Sequence, residues 1–538
     1  MSRGQLLTDS SMTAVSQEAE VSQAAGLIAL GSVASRILGI VRETVKAGLF
    51  GATGSVSALE VAIRVPTLIY DLLVGGMINS ALIPVFSEYA SPERHDELWH
   101  LLSVLLSLAA VALSAAILLG ELLAPQIVWV MAGGLDPVLQ REAVALLRMM
   151  LPAIFFLNVA GIVSGVLYAL KRFAFPAFTA AVFNAAIVVL ALLLGRRLGV
   201  ASVALGLLAG SLLQLGLQLP GLQGARLRFI FDAELGALRQ IGKLYIPIAL
   251  GLIVDMLGVA LSYHLASRTG DQSIPWMQYS ATIIQFPLGL VSIAVSIAIL
   301  PTLSRQASGN KLDDYKTTLA YGLRLVLALT IPATVGLWVL AQPIVALVFE
   351  HGSYFTPSDT QATVAALHCH LVGLIFAAID QPLIFAFYAR KDTWTPALVG
   401  VGTVVLYVVI ALLPAMFRPL TLNWLILANS LKSAAHALIM LFLLRRGVGA
   451  LRGRRVWQTL FKATLASAVM GGVVWLVVQM ITSVVSPGGY RELVLVLCGG
   501  LAGVGVYWFL AAVMKIGEVA DLGRILLSRI RVLTVPRR

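Results

Sequence analysis

Apolar runs of about 20 residues recur along the whole chain, each long enough to cross the hydrocarbon core of a bilayer. No other feature narrows the fold so far. Inside the hydrocarbon every backbone N–H and C=O must be satisfied within the protein, which leaves helices or a closed barrel. The runs Val104 to Leu119, Ala180 to Leu194 and Val399 to Leu413 are continuously apolar rather than alternating, so they read as helices. Composition closes the soluble alternative. Only 12% of the 538 residues are charged and 59% are hydrophobic, whereas a soluble globule carries about 25% charged residues to clothe its surface. The expected fold class is therefore all-α integral membrane, with about 14 transmembrane helices. They fall near residues 25–50, 58–89, 99–122, 143–169, 175–195, 199–221, 242–266, 276–304, 317–340, 358–388, 394–416, 421–444, 457–482 and 491–514. Pro66 and Pro84 in the second, and Pro287 and Pro301 in the eighth, predict kinked or broken helices there.

The net charge of +12 lies in short loops between spans rather than on one face, so no nucleic-acid partner is expected. With the N-terminus in the cytoplasm, the inner loops and tail hold roughly 23 basic residues and the outer loops about 6, which places both termini in the cytoplasm. Residues 1–22 are polar and mixed and are expected to be a flexible cytoplasmic tail, since a signal peptide opens on a basic segment and an apolar core. The final segment, 515–538, reads as a basic cytoplasmic tail on the inner leaflet. Cys369 and Cys498 sit in apolar surroundings without CxxC spacing, so neither a metal site nor a disulfide framework is signalled.

The chain also repeats itself. Ala81-Leu-Ile-Pro-Val-Phe-Ser-Glu-Tyr-Ala-Ser91 matches Ala298-Ile-Leu-Pro-Thr-Leu-Ser-Arg-Gln-Ala-Ser308 at an offset of 217 residues. Leu167-Tyr-Ala-Leu-Lys-Arg-Phe-Ala-Phe-Pro-Ala177 matches Phe387-Tyr-Ala-Arg-Lys-Asp-Thr-Trp-Thr-Pro-Ala397 at an offset of 220. Two matches at nearly one offset point to duplication of a six-span unit, and an even count gives both copies the same topology. Parallel repeats about an axis along the membrane normal are a transporter architecture, with substrate between the halves. The expected domains are 23–224 and 240–446 as six-helix bundles, with 456–514 as helices 13 and 14 outside both copies.

Charges within spans cost several kcal/mol unless they are paired or face water, which makes each a functional candidate. The first two spans concentrate them: Arg36, Arg42, Glu43, Lys46, Glu60, Arg64 and Asp71. Arg42 and Lys46 share a helix face, and Glu60 and Arg64 at i, i+4 are spaced to pair with each other. The functional reading is a hydrated cavity with a cationic wall for phosphate or diphosphate, which arginine grips with two N–H groups. The bland reading has Lys46 and Glu43 reaching to the interface and Arg64 neutralised by Glu60. Asp255 and Asp380 stand nearly alone in spans 7 and 10, as expected of carboxyls that couple transport to Na⁺ or H⁺, with Thr395 as an additional oxygen, or that hydrogen-bond across helices. Asn429, Lys432 and His436 form a polar stripe that reads as interior packing. His368 and His370 lack the further ligands a metal needs. No GxxxxGK[ST] loop is present and the connections are too short for a catalytic domain, so neither a catalytic residue nor a bound cofactor is expected beyond the coupling ion.

Several stretches, in order along nearly the whole chain, resemble the MurJ (MviN) lipid II flippases. They are Ser35-Arg-Ile-Leu-Gly-Ile-Val-Arg-Glu43 with Leu49-Phe-Gly-Ala52, Ile83-Pro-Val-Phe-Ser-Glu-Tyr89, Gln285-Phe-Pro-Leu-Gly289, Leu300-Pro-Thr-Leu-Ser304, Val348-Phe-Glu-His-Gly352 and Phe387-Tyr-Ala-Arg-Lys-Asp-Thr-Trp-Thr-Pro396. That family belongs to the multidrug/oligosaccharidyl-lipid/polysaccharide exporter superfamily. The resemblance implies two six-helix bundles around a V-shaped central cavity, with two further helices forming a groove for a lipid tail. It implies a bacterial inner-membrane flippase, monomeric among membrane lipids, that moves an undecaprenyl-diphosphate-linked saccharide outward by alternating access. The family's substrate-binding cations and acid map onto Arg36, Arg42, Glu43 and Arg64.

The chain departs from that pattern at Ser57, where the family usually has an acid, at Tyr70 and Asp71, where a base is usual, and at Val74-Gly-Gly76, where Gly-Glu-Gly is usual. Tyr279-Ser-Ala-Thr-Ile283 stands where the family has Tyr-Ala-Asp/Asn-Arg-Leu, so that arginine is missing. The substrate expected is lipid II. Another polyprenyl-linked glycan, or export of drugs or polysaccharide, stays open, as do the less favoured readings of a polyprenyl-phosphate transferase and a degenerate scaffold.

Overall fold

The computed structural model describes residues 3–232, 236–309, 311–450, 455–486 and 489–519, and all regular structure among them is helical. The expected basic tail at 515–538 lies outside the described residues from position 520 onward. The chain divides into two compact units, Met1–His264 and Leu265–Arg538.

The first unit holds α1 (Arg3–Phe50), α2 (Gly54–Tyr70), α3 (Ile83–Glu88), α4 (His95–Ala132), α5 (Pro137–Met150), α6 (Ala153–Ala169), α7 (Ala174–Ala177), α8 (Thr179–Leu198) and α9 (Ala201–Gln218). It also takes α10 (Gly236–Ser267) as far as His264. In place of the flexible tail expected over 1–22, α1 is helical from Arg3. No proline interrupts that segment, and extending an existing helix costs far less than nucleating one. The packing division at His264 also falls later than the expected bundle boundary at 224–240, because α10 packs with the first unit.

The second unit holds α11 (Ser273–Pro287), α12 (Ala294–Ser308), α13 (Leu312–Val339), α14 (Ala341–Phe349), α15 (Pro357–Ala389), α16 (Trp394–Leu412) and α17 (Leu422–Val448). It ends with α18 (Val456–Val484) and α19 (Gly489–Val513). These last two pack on α13 through Ala328, Ala466, Met470, Val474 and Tyr507, whose hydroxyl donates to the Ala328 carbonyl at 2.5 Å.

The duplication is visible in backbone irregularities. The helix after α2 widens into a π-helix at Asp71–Gly75, and the helix after α11 does so at Leu288–Ile293, 217 residues later. The starts of α4 and α13, His95 and Leu312, are also 217 apart. Pro66 and Pro287 lie in the helix just before each widening.

Among the described residues eleven helices are long and apolar enough to cross a membrane, and twelve if the pair α5–α6, bent by 42°, is one span. The expectation of about 14 adds residues 25–50 and 58–89, on α1 and along the α2–α3 run, which are not among these candidates. α2 reaches only 17 residues before its first break. Large apolar side chains such as Leu118, Leu122, Leu193, Phe461 and Leu501 point outward, as a protein solvated by lipid rather than water requires. Helices then approach through small residues instead of through a greasy core alone. A Cβ on Gly206 of α9 would stand 2.8 Å from the Ile187 Cα of α8, and one on Gly210 would stand 2.8 Å from the Phe183 carbonyl oxygen.

Candidate functional site

The first unit gathers its charge where α1 meets α2. Arg42 and Glu43 are adjacent, and Lys46 is one turn on, so α1 places three ionisable groups on neighbouring faces by periodicity alone. Arg42 Nε and Nη2 donate to Glu43 Oε1 at 3.1 and 2.7 Å. Lys46 Nζ bridges Glu43 Oε2 and Glu60 Oε1, tying α1 to α2. The Lys46, Glu43 and Glu60 side chains are all but sealed, at 3%, 4% and 6% exposure. Glu60 therefore pairs with Lys46 across the helix contact rather than with Arg64 along its own helix. A cation of the facing helix reaches its carboxylate, whereas Arg64 Nε is buried without a hydrogen-bond partner. Neither Lys46 nor Glu43 extends to the interface.

Two cations and two carboxylates cancel, so the cluster is neutral overall. Burying each ion alone costs several kcal/mol, and removing one partner leaves that cost exposed. Arg42 differs from the rest. Its side chain keeps 30% exposure, and its Nη1 donates to Asn184 Oδ1 of α8 at 3.0 Å. The Asn184 amide is itself oriented, because its Nδ2 donates to the carbonyls of Ala180 at 3.0 Å and Ser35 at 3.4 Å. Arginine has five N–H groups; Glu43 and Asn184 take three, leaving one on each terminal nitrogen. Such a pair is the fork that grips two oxygens of a phosphate or carboxylate. Arg36 lies half-buried further back on α1. Tyr263 of α10 is buried within electrostatic reach of Glu60, Arg64 and Glu43. Arg42 and Glu43 are thus brought together, and Asn184 and Tyr263 join a site to which no sequence motif had assigned them. Only their polar tips in apolar spans could have flagged them.

The proposed coupling residues have separate surroundings. Asp255 is exposed on α10 in the first unit. Asp380, expected to stand nearly alone, is hydrogen-bonded to His436: the Nδ1 to Oδ1 distance is 2.8 Å. Thr395 Oγ1 donates to Asp392 Oδ2 at 2.6 Å and its backbone N–H to Asp392 Oδ1 at 3.0 Å, a local motif at the start of α16. His368 stacks on Trp338 with ring centroids 4.4 Å apart. Thr282, which stands at the place of the missing arginine, donates its Oγ1 to the Gln278 carbonyl at 3.0 Å, and Tyr279 opens the same stretch. The Tyr279 ring is fully buried, 4.7 Å from Phe349 and 5.7 Å from Phe355 centroid to centroid, so an aromatic plug occupies this stretch of α11.

Known proteins match this chain over most of its length. The lipid II flippase MurJ of Burkholderia cenocepacia is 30% identical over 381 residues, covering 69% of this chain and 74% of that protein. The probable lipid II flippase MurJ of Vibrio cholerae is 29% identical over 505 residues, covering 91% and 95%. A solved lipid II flippase MurJ in an inward closed conformation superimposes with a TM-score of 0.76 at 24% identity, covering 90% of this chain and 98% of that one. An inward-facing multidrug resistance transporter of the MATE family, in the MOP superfamily, follows at 0.67 and 13%, covering 78% and 95%. At these identities the two structures establish the fold. The profile of the family described as lipid II flippase MurJ matches residues 46–495, and this multi-pass membrane chain belongs to that family.

Proposed function

We propose that the chain flips lipid II, the undecaprenyl-diphosphate-linked peptidoglycan precursor, from the inner to the outer leaflet of the bacterial inner membrane by alternating access. The observation that carries the reading is Arg42: a half-exposed guanidinium inside a span, anchored by Glu43 and Asn184, with one N–H free on each terminal nitrogen. A diphosphate headgroup is the part of the substrate that such a fork fits. Arg36 and the buried, unbonded Arg64 Nε supply further positive charge on the same two spans, and Glu43 holds Arg42 in place. In this reading the protein is a monomer with both termini in the cytoplasm, works among membrane lipids without nucleic acid, and is a transporter rather than an enzyme. Coupling to an ion through the second unit is part of the same reading.

Expression of the chain in cells depleted of their own lipid II flippase tests it. Rescue of growth is expected, and Arg42→Ala is expected to abolish rescue at unchanged protein level. Full rescue by Arg42→Ala would remove the diphosphate fork. A second substrate class, another polyprenyl-linked glycan, is favoured by two features: exposed Asp71 where the family has a base, and uncharged Thr282 where it has an arginine. Failure to rescue, together with flipping of a different polyprenyl-diphosphate glycan in vesicles, would select that class.

A further inference from the structure

α15 and α17 cross closely because Gly373 of α15 has no side chain; a Cβ there would stand 2.7 Å from the Ser430 Cα of α17. Ser430 Oγ donates to the Cys369 carbonyl at 2.7 Å and fixes the crossing. Asp380 follows Gly373 by two helical turns and so lies on the same face. His436 follows Ser430 by six residues, and there the two ionisable groups meet, at 2.8 Å, with side chains 13% and 15% exposed. We infer that Asp380 and His436 form a proton-carrying site, in which His436 Nε2 takes up and releases one proton while Nδ1–H stays on Asp380. It rests on the flippase reading only for what the proton movement drives.

An ionised carboxylate has no hydrogen to give, so Nδ1 donates and Nε2 of the neutral ring is the free lone pair. With Nε2 bare the pair carries one negative charge; with Nε2 protonated it carries none. One N–H bond forms on uptake from water at one side, and the same bond breaks on release at the other. Imidazole is the side chain whose ordinary titration spans physiological pH. A neutral pair moves through a low-dielectric phase at much lower cost than a net negative one, so the proton state biases which arrangement of this helix crossing is stable.

The oxygens around the pair favour a proton over Na⁺. Asp380 Oδ1 already accepts an N–H, and a sodium ion would compete with it for that oxygen. The further oxygen expected, Thr395 Oγ1, donates to Asp392. Of the elements packed on the two helices, α17 itself carries Lys432 one turn before His436, α11 carries Tyr279, whose ring lies against Phe349 and Phe355, and α16 carries Tyr407. From α13 come Tyr321 and Arg324, the latter bound to Glu518 at 2.5 Å, and α12 has Arg305 in its last turn. The π-helical segment Leu288–Ile293 and α14 contribute no ionisable group.

The test uses the full chain with ring-¹⁵N-labelled histidine in lipid nanodiscs, with His436→Gln assigning the His436 signals. The expected result is an Nε2 that gains and loses a proton as the pH of the nanodisc sample is varied, beside an Nδ1 that stays protonated, with the Nε2 response altered by Asp380→Asn and indifferent to exchanging Na⁺ for choline. An Nε2 fixed in one state at every pH at which the protein stays folded, or a signal that follows Na⁺ instead of pH, would overturn the proposal. In proteoliposomes loaded with lipid II, an imposed pH gradient should change the wild-type rate about tenfold. His436→Gln, which can still donate to Asp380 but cannot hold the second proton, should bring that ratio to about one; a wild-type ratio in His436→Gln would also overturn it. Wild-type protein that titrates as expected but flips no lipid II would overturn the lipid II reading and leave the proton site standing.

Discussion

Where the first unit widens its helix after α2 the residue is Asp71, and 217 residues later the second unit widens the equivalent helix at Leu288. The same backbone irregularity has been kept with an acid in one copy and an aliphatic side chain in the other. The irregularity therefore belongs to the scaffold, and the ionisable groups have been distributed over it independently. The first copy places two carboxylates and two cations in contact where α1 meets α2, with all but Arg42 nearly sealed from solvent. The second keeps one imidazole–carboxylate pair at the α15–α17 crossing. A sealed, neutral, multiply bonded cluster suits a rigid frame that presents Arg42. A single titratable pair suits a part whose charge changes during the cycle.

The contrast can be broken first at Lys46. Lys46→Met leaves Glu60 without its cation and Glu43 with Arg42 alone, and should cost about 3–5 kcal/mol of stability. Asp380→Asn in the second unit should cost only about 1 kcal/mol, the worth of an ordinary hydrogen bond. Thermal unfolding of both variants in one detergent checks the pair, and equal losses would erase the distinction between frame and titrating part. Next in size come two glycine crossings, one in each copy and not equivalent by the repeat. Gly210→Leu at the α8–α9 contact and Gly373→Leu at the α15–α17 contact both overpack a helix approach, each at about 1–3 kcal/mol. Comparable falls in unfolding temperature would support one scaffold logic in both copies, whereas a silent Gly373→Leu would detach the crossing from the Asp380–His436 geometry. The smallest effect is expected at Asn184. Asn184→Ala frees Arg42 Nη1 while leaving Glu43 in place, worth about 1 kcal/mol or a several-fold loss of flipping. That loss should fall on apparent substrate affinity in a vesicle assay, with unfolding temperature little moved. An unchanged affinity would mean that Glu43 alone orients the guanidinium.

Much of this was legible from residue order. Continuous apolar runs specify membrane helices because the bilayer removes every backbone alternative. The duplication was readable because the offset of its two motif pairs recurs in the spacing of the π-helices and of α4 and α13. The adjacency of Arg42, Glu43 and Lys46 follows from helical periodicity, which is local. Periodicity also misled: at i, i+4 Arg64 was the natural partner of Glu60, yet Lys46, 14 residues away in sequence, took the carboxylate.

By itself, then, the sequence determined the helical membrane class, the repeat, the family motifs and which spans carry charge. Each of these is a property of one helix or of the chain's comparison with itself. Partner choice was decided only in the tertiary structure. Asn184 reaches Arg42 across 142 residues of sequence, and His436 reaches Asp380 across 56. In a medium that solvates no ion, each charged group binds whichever partner the interhelical geometry brings within about 3 Å. That geometry is set by small residues at helix crossings, such as Gly210 and Gly373, whose role shows only when the facing helix is in place.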